Sequence, residues 1–192
     1  MKSMAVRAAV VAVAVVSGAC GSTPGPPALQ AGTALARPRP LGALALQDVA
    51  GRRFDRSRFT GRWSLVVTGF SRCPDFCPAT LALLQALRRR VPEPRVQFVF
   101  VSVDPARDTP DVLRRYVANF GAGIVATTGA ADELARFTRE LGLAQVVVPG
   151  TGGDYTLDHS TALVLVDPEA RVAGYFRAPH DLESIAADLA AL

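Results

Sequence analysis

Two uninterrupted apolar runs, WSLVVTGF at 63–70 and VQFVFVSV at 96–103, constrain the fold of this chain more than any other feature. Runs of this kind belong to strands covered on both faces, because a half-exposed strand alternates apolar with polar residues. Between them, residues 78–90 carry Leu81, Leu84 and Leu87 at helical spacing, which predicts a helix. Downstream the alternation continues. Thr109, Pro110 and Asp111 open a helix to 120, with threonine as N-cap and proline in the first helical position. GIVAT is a short strand, 130–141 a helix stopped by Gly142, and LAQVVV a further strand. TALVLVD at 161–167 and VAGYF at 172–176 are strands around the turn Asp167-Pro168-Glu169, and a helix over 181–192 closes the chain. Upstream, ALALQDV and RRFDRSRF suggest a hairpin. This order predicts an α/β, thioredoxin-like fold: a central mixed sheet flanked by helices, with an added N-terminal hairpin.

The start of the chain reads as targeting. Lys2 and Arg7 precede an Ala/Val run over 8–16, then Ser17, Gly18, Ala19 and Cys20. A basic head, a short apolar core and small residues before a cleavage point make 1–19 a secretory signal peptide. The run is too short for a membrane span, which needs about 20 apolar residues. Small residues directly before Cys20 resemble a bacterial lipobox, so Cys20 is the expected site of lipidation. Residues 20–42, rich in Gly, Pro and Ala without periodicity, read as a flexible, lipid-anchored tether reaching at most ~75 Å when extended. The expected location is therefore a membrane-anchored lipoprotein facing the periplasm or cell exterior. The globular domain is assigned to 43–192, and nothing in its pattern calls for more than a monomer.

Charge excludes one class of partner. The chain carries a net +4, and removing Lys2 and Arg7 with the signal leaves +2. No basic run exceeds Arg88-Arg89-Arg90, which sits at a predicted helix C-terminus where the dipole favours cations. Nucleic acid is not an expected partner.

If Cys20 carries lipid, the thiols left in the domain are Cys73 and Cys77, in GFSRCPDFCPAT. A domain of this size does not need a disulfide to fold, so the pair is chemical before it is structural. It follows the first central strand and opens the first long helix, where partial positive charge lowers a thiol pKa. With three residues between them, the cysteines suit a metal ion better than a disulfide. Side chains four apart on a helix have Cβ atoms ~5–6 Å apart, against ~3.8 Å in a disulfide. A redox-active disulfide between Cys73 and Cys77 stays open if the segment is not helical, as Pro74 and Pro78 allow. A metal needs a third donor. His159 lies just before a strand predicted to be central, whereas His180 precedes the last helix and reads as an exposed residue near a cap. Two sulfurs and an imidazole suit copper, Cu(I) above all, and also zinc with a fourth ligand.

Three stretches, GRWSLVVTGFSRCPDFCP, VSVDPARDTPDVLRRYV and YTLDHSTALVLVDPEARV, together resemble the SCO/SenC family across roughly 44–190. The resemblance implies a thioredoxin-fold copper protein that helps build the CuA centre of cytochrome c oxidase. It implies copper, as Cu(I) or Cu(II), on Cys73, Cys77 and His159, and cytochrome c oxidase subunit II or another copper protein as partner. It also places Asp104 of S-V-D-P near the site, although Asp104-Pro105 reads equally as a strand end and turn. Asp158 is expected to fix the histidine loop. Phe76 is either a partner-facing apolar residue or a helix-start contact. In place of an aromatic, proline-containing stretch this chain has GAGIVATTG, and the loop before the histidine, PGTGGD, is short of aromatics. The leading expectation is a metallochaperone and not an enzyme. The alternative is a thiol–disulfide oxidoreductase that reduces the cysteines of the oxidase subunit or of another exported protein. A peroxidase on the same fold would use a single cysteine in a different local motif.

Overall fold

A computed structural model describes residues 27–91 and 94–192. Residues 1–19, expected to be a signal peptide, and Cys20 lie outside the described residues. Chain order runs β1 (Thr33–Pro40), β2 (Leu46–Asp48), β3 (Arg53–Phe54), β4 (Trp63–Gly69), α1 (Phe76–Arg90), β5 (Val96–Ser102) and α2 (Pro110–Ala118). It continues through β6 (Ile124–Thr128), α3 (Ala131–Glu140), β7 (Gln145–Pro149), β8 (Tyr155–His159), β9 (Leu163–Val166), β10 (Arg171–Phe176) and α4 (Leu182–Ala190).

Eight strands form one mixed sheet in the order β1-β10-β9-β4-β5-β6-β2-β3. At its centre β4 runs parallel to β5 and β5 to β6, while β9 pairs antiparallel with β4. Strand alternation explains the continuous apolar runs. Leu65, Val67, Phe98 and Phe100 point into one core with Leu81, Leu84 and Leu87 of α1, Leu113 of α2 and Ile185 of α4. Val66, Val99, Val101, Val164 and Val166 point into the other with Leu134 and Phe137 of α3 and with Phe54 and Phe59. Each central strand is covered on both sides, so neither face needs a polar row. The expected hairpin exists as β2 and β3, and the rest of its second arm, Arg56–Phe59, is a 3-10 turn capped by Asp55.

Two expectations are corrected. The tether does not extend to 42. Residues 33–40 form β1 on the outer edge of β10, with Thr33 opposite Tyr175 and Pro40 opposite Arg171. An edge position tolerates Pro38 and Pro40, since only one side of the strand must pair. Just upstream, the N–H groups of Gln30, Ala31 and Gly32 donate to the Asp188 carboxylate at 2.8–3.2 Å. Absence of periodicity hid an edge strand that buries little. Second, the segment before His159 is not an open loop. Residues 155–159 are a strand, β8, and with β7 it makes a two-stranded antiparallel ribbon separate from the main sheet. The glycine-rich stretch is its tip, where Gly152 and Gly153 take φ of 66° and 83°.

Candidate metal centre

The cysteine segment grows out of β4 and leads into α1. Residues 70–75 turn tightly, with Cys73 N–H donating to Phe70 O at 3.3 Å, and α1 begins at Phe76 with Asp75 in the cap position. Cys77 is thus the second residue of α1, buried, while Cys73 is half-buried in the loop. The two prolines place the helix boundary between the thiols. Cys77 N–H donates to Cys73 Sγ at 3.3 Å, so a helix-terminal donor that would otherwise be orphaned points at sulfur.

The third donor arrives on β8. Tyr155, Leu157 and His159 share one face of that strand, and Leu157 packs with Phe70, Cys77 and Val103. His159 Nε2 lies 3.5 Å from Cys77 Sγ. Its Nδ1 faces the Ser160 carbonyl at 3.0 Å, and a carbonyl can only accept. In the neutral ring the proton therefore sits on Nδ1, and the Nε2 lone pair faces the sulfurs. Phe70 and Phe76 flank the imidazole edge-on at 5.9 and 6.3 Å between ring centroids, so Phe76 is a half-buried contact of His159. The ligand atoms of Cys73, Cys77 and His159 all lie within 4.8 Å of one another, the one such group among the described residues. Two sulfurs and an imidazole nitrogen facing a common point fit one soft metal ion with little adjustment.

The electrostatics differ from what helix position alone implies. Burial pushes the Cys77 thiol well above its ordinary range, and a hydrogen bond with Cys73 pushes the same way. Desolvation outweighs the helix N-terminus here. Metal binding must displace a proton that the apo site holds, so affinity rises with pH.

The other expected residues fall in different places. Asp104 is buried. Its Oδ2 accepts from Arg107 Nε at 2.5 Å and its Oδ1 from Tyr155 O–H at 2.6 Å, so it holds the histidine ribbon and makes no approach to the three donors. Asp158 is exposed, on the opposite face of β8 from His159. His180 is half-buried, not exposed. Its Nε2 donates to Thr161 O at 3.1 Å, and it takes no part in the three-donor cluster.

Several residues carried no sequence signal. Asp108 is fully buried and fastens Ser71, two residues before Cys73. Gly69 is required by packing: a Cβ there would stand 2.8 Å from Cys77 Sγ and 2.7 Å from Phe100 Cε2. Gly69→Ala is expected to displace the sulfur or the ring, at ~1–3 kcal/mol of stability, and to weaken metal binding. Thermal denaturation and a metal titration check this. Unchanged values in both would show that the neighbours give way freely.

Sheet order, cysteine loop and histidine ribbon together define a thioredoxin-like domain with a Cys-x-x-x-Cys/His metal-binding group. The SCO1/SenC family model matches residues 35–192, and the chain belongs to that family. A protein of Stutzerimonas stutzeri is 37% identical over 154 residues, 79% of this chain and 76% of its own length. The mitochondrial protein SCO2 homolog of Bos taurus is 35% identical over 149 residues, 75% of this chain, but this chain spans only 56% of it. The structure of Bradyrhizobium japonicum ScoI with copper bound superposes with a TM-score of 0.72 at 31% identity, covering 77% of this chain and 96% of that one.

Proposed function

We propose that the chain is a copper metallochaperone, which holds one copper ion on Cys73, Cys77 and His159 and passes it toward the CuA centre of cytochrome c oxidase subunit II. The observation that carries this reading is His159 Nε2, 3.5 Å from Cys77 Sγ, with Nδ1 turned to the Ser160 carbonyl. A disulfide reductase has no use for an imidazole held there. Copper in the similar Bradyrhizobium ScoI supports the choice of metal, and thiolate is a preferred ligand of Cu(I). Three donors, of which Cys73 and His159 are only half-buried, leave coordination open, so a partner's ligands can enter before this chain's leave. A thiol–disulfide role has its own support. Cys73 is half-buried and accepts the Cys77 N–H, whereas Cys77 is buried, the asymmetry of an attacking and a resolving thiol.

Export and anchoring through Cys20 belong to the same proposal. Among the described residues no helix is long and apolar enough to cross a membrane. With Leu29 packed against the core, residues 21–28 reach at most ~28 Å, so a monomer tethered at Cys20 would work close to the membrane face.

Copper binding by the reduced chain tests the reading. His159→Ala is expected to lower Cu(II) affinity by at least ~10-fold and to change the thiolate-to-copper absorption, with Cu(I) less affected. His180→Ala should leave both as they are. Circular dichroism confirms that each variant is folded. A spectrum altered by His180→Ala and not by His159→Ala would overturn the ligand assignment.

A further inference from the structure

We infer that Arg107 and Tyr155 are positioning residues for His159: with the buried Asp104 they clamp the β7–β8 ribbon to the domain and so set the geometry of the third copper donor. The inference rests on the ligand set proposed above and goes beyond it, since neither residue approaches the sulfurs. The ribbon shares no ladder with the eight-stranded sheet, so main-chain pairing does not hold it in place. Its base is joined to the domain through the chain itself, β7 following α3 and β8 leading into β9, and the Ser160 N–H, donating to Ala144 O at 2.9 Å, extends the ribbon's own ladder there. Its tip half is held by side chains. Arg107 Nη1 donates to Tyr155 O at 2.8 Å and to Asp154 Oδ1 at 3.1 Å, and the guanidinium lies 3.6 Å from the centre of the Tyr155 ring. Arg107 Nε and Tyr155 O–H converge on the two oxygens of Asp104. Asp104 follows the end of β5, the central strand beside β4, so the clamp refers the ribbon to the strands that carry the cysteine loop.

His159 lies between the two attachments, on the same face as Tyr155 and Leu157. With both ends fixed, Nε2 faces Cys77 Sγ. With the tip released, the ribbon keeps only its base and the packing of Leu157 on Phe70, Cys77 and Val103, and a ring that must meet copper within a few tenths of an ångström loses its aim. Cu(II), which favours nitrogen more than Cu(I) does, feels the loss more.

The full reduced chain is compared with Arg107→Lys, Tyr155→Phe and His159→Ala. Arg107→Lys keeps a cation beside Asp104 but removes the planar fork, and Tyr155→Phe removes only the hydroxyl. Each clamp variant is expected to lose on the order of 10-fold in Cu(II) affinity and to shift the thiolate-to-copper band toward that of His159→Ala. Cu(I) affinity should stay within ~3-fold. In the metal-free chain, amide exchange should quicken over 145–159 and stay unchanged in β4 and β5. Parental Cu(II) spectra and affinities in both clamp variants, with His159→Ala altered, would overturn the clamp while leaving the ligand assignment standing, even if the variants melt earlier. An unaltered His159→Ala removes the ligand assignment and the clamp with it.

Discussion

Oxidising Cys73 and Cys77 to a disulfide should abolish tight Cu(I) binding. The reaction removes two protons and two electrons and leaves no thiolate, and the imidazole that is left is a poor match for the soft ion. The sulfurs are close enough for this to be a working gate. They lie within 4.8 Å, and a disulfide needs ~2.05 Å between them with Cβ atoms ~3.8 Å apart. Cys77 is fixed in α1, so the closing movement falls on the loop that carries Cys73. The bond would cost the Cys77 N–H to Cys73 Sγ contact and no main-chain hydrogen bond of the helix. Titrating reduced and oxidised chain with Cu(I) against a competing chelator measures the gate, and a loss of at least ~1000-fold is expected, about 4 kcal/mol. Equal affinities would mean that the cysteines are not ligands. The same experiment bears on the oxidoreductase reading, because a pair that cycles readily between both states can couple copper release to thiol exchange.

What the sequence disclosed about this fold follows from where its signals are local. WSLVVTGF and VQFVFVSV announce the paired central strands because both faces of each are covered, so no polar residue interrupts the run. Thr109-Pro110 announces α2 because capping is decided within one turn: Thr109 Oγ1 accepts from Val112 N–H at 3.3 Å. The edge strand β1 was hidden because a strand paired on one side, carrying Pro38 and Pro40, lacks the pattern of a buried one. The ribbon half-hid for a related reason. QVVVP reads as a strand, yet Val146 and Val147 are each 60% exposed, so hydrophobicity there does not report burial.

The site divides along the same line. Two cysteines in one turn of chain and a histidine at a strand end are visible as residue types with a known taste for metal. What aims them is not. Tyr155 meets Asp104 across 51 positions and Ser71 meets Asp108 across 37, and nothing local to either residue announces its partner. Asp158 shows the opposite failure: it stands next to the histidine in sequence, and strand alternation sends it to solvent.

Asp108 should matter as much to the cysteine loop as any residue that touches metal. Its carboxylate is fully buried and accepts from Ser71 N–H at 2.9 Å, from the Ser71 hydroxyl and from the Ser102 hydroxyl at 2.6 Å. Ser71 stands two residues past the end of β4, and Ser102 ends β5. One side chain therefore joins the two parallel strands where the cysteine loop departs. Asp108→Ala leaves the half-buried Ser71 N–H and two hydroxyls without their acceptor, at ~3 kcal/mol. That lowers the melting temperature by roughly 6–12 °C for a domain of this size. Asp108→Asn keeps one acceptor oxygen and is expected to lose about half as much. The consequence for the site is asymmetric: Cys77 stays fixed in α1, while the loop bearing Cys73 is freed. Both variants should then form the Cys73–Cys77 disulfide faster under a mild oxidant than the parent chain does, and bind Cu(I) more weakly. Thiol quantification over time and chelator competition measure the two effects. Oxidation at the parental rate in a destabilised but folded Asp108→Ala would show that Asp108 supports the fold without governing the loop.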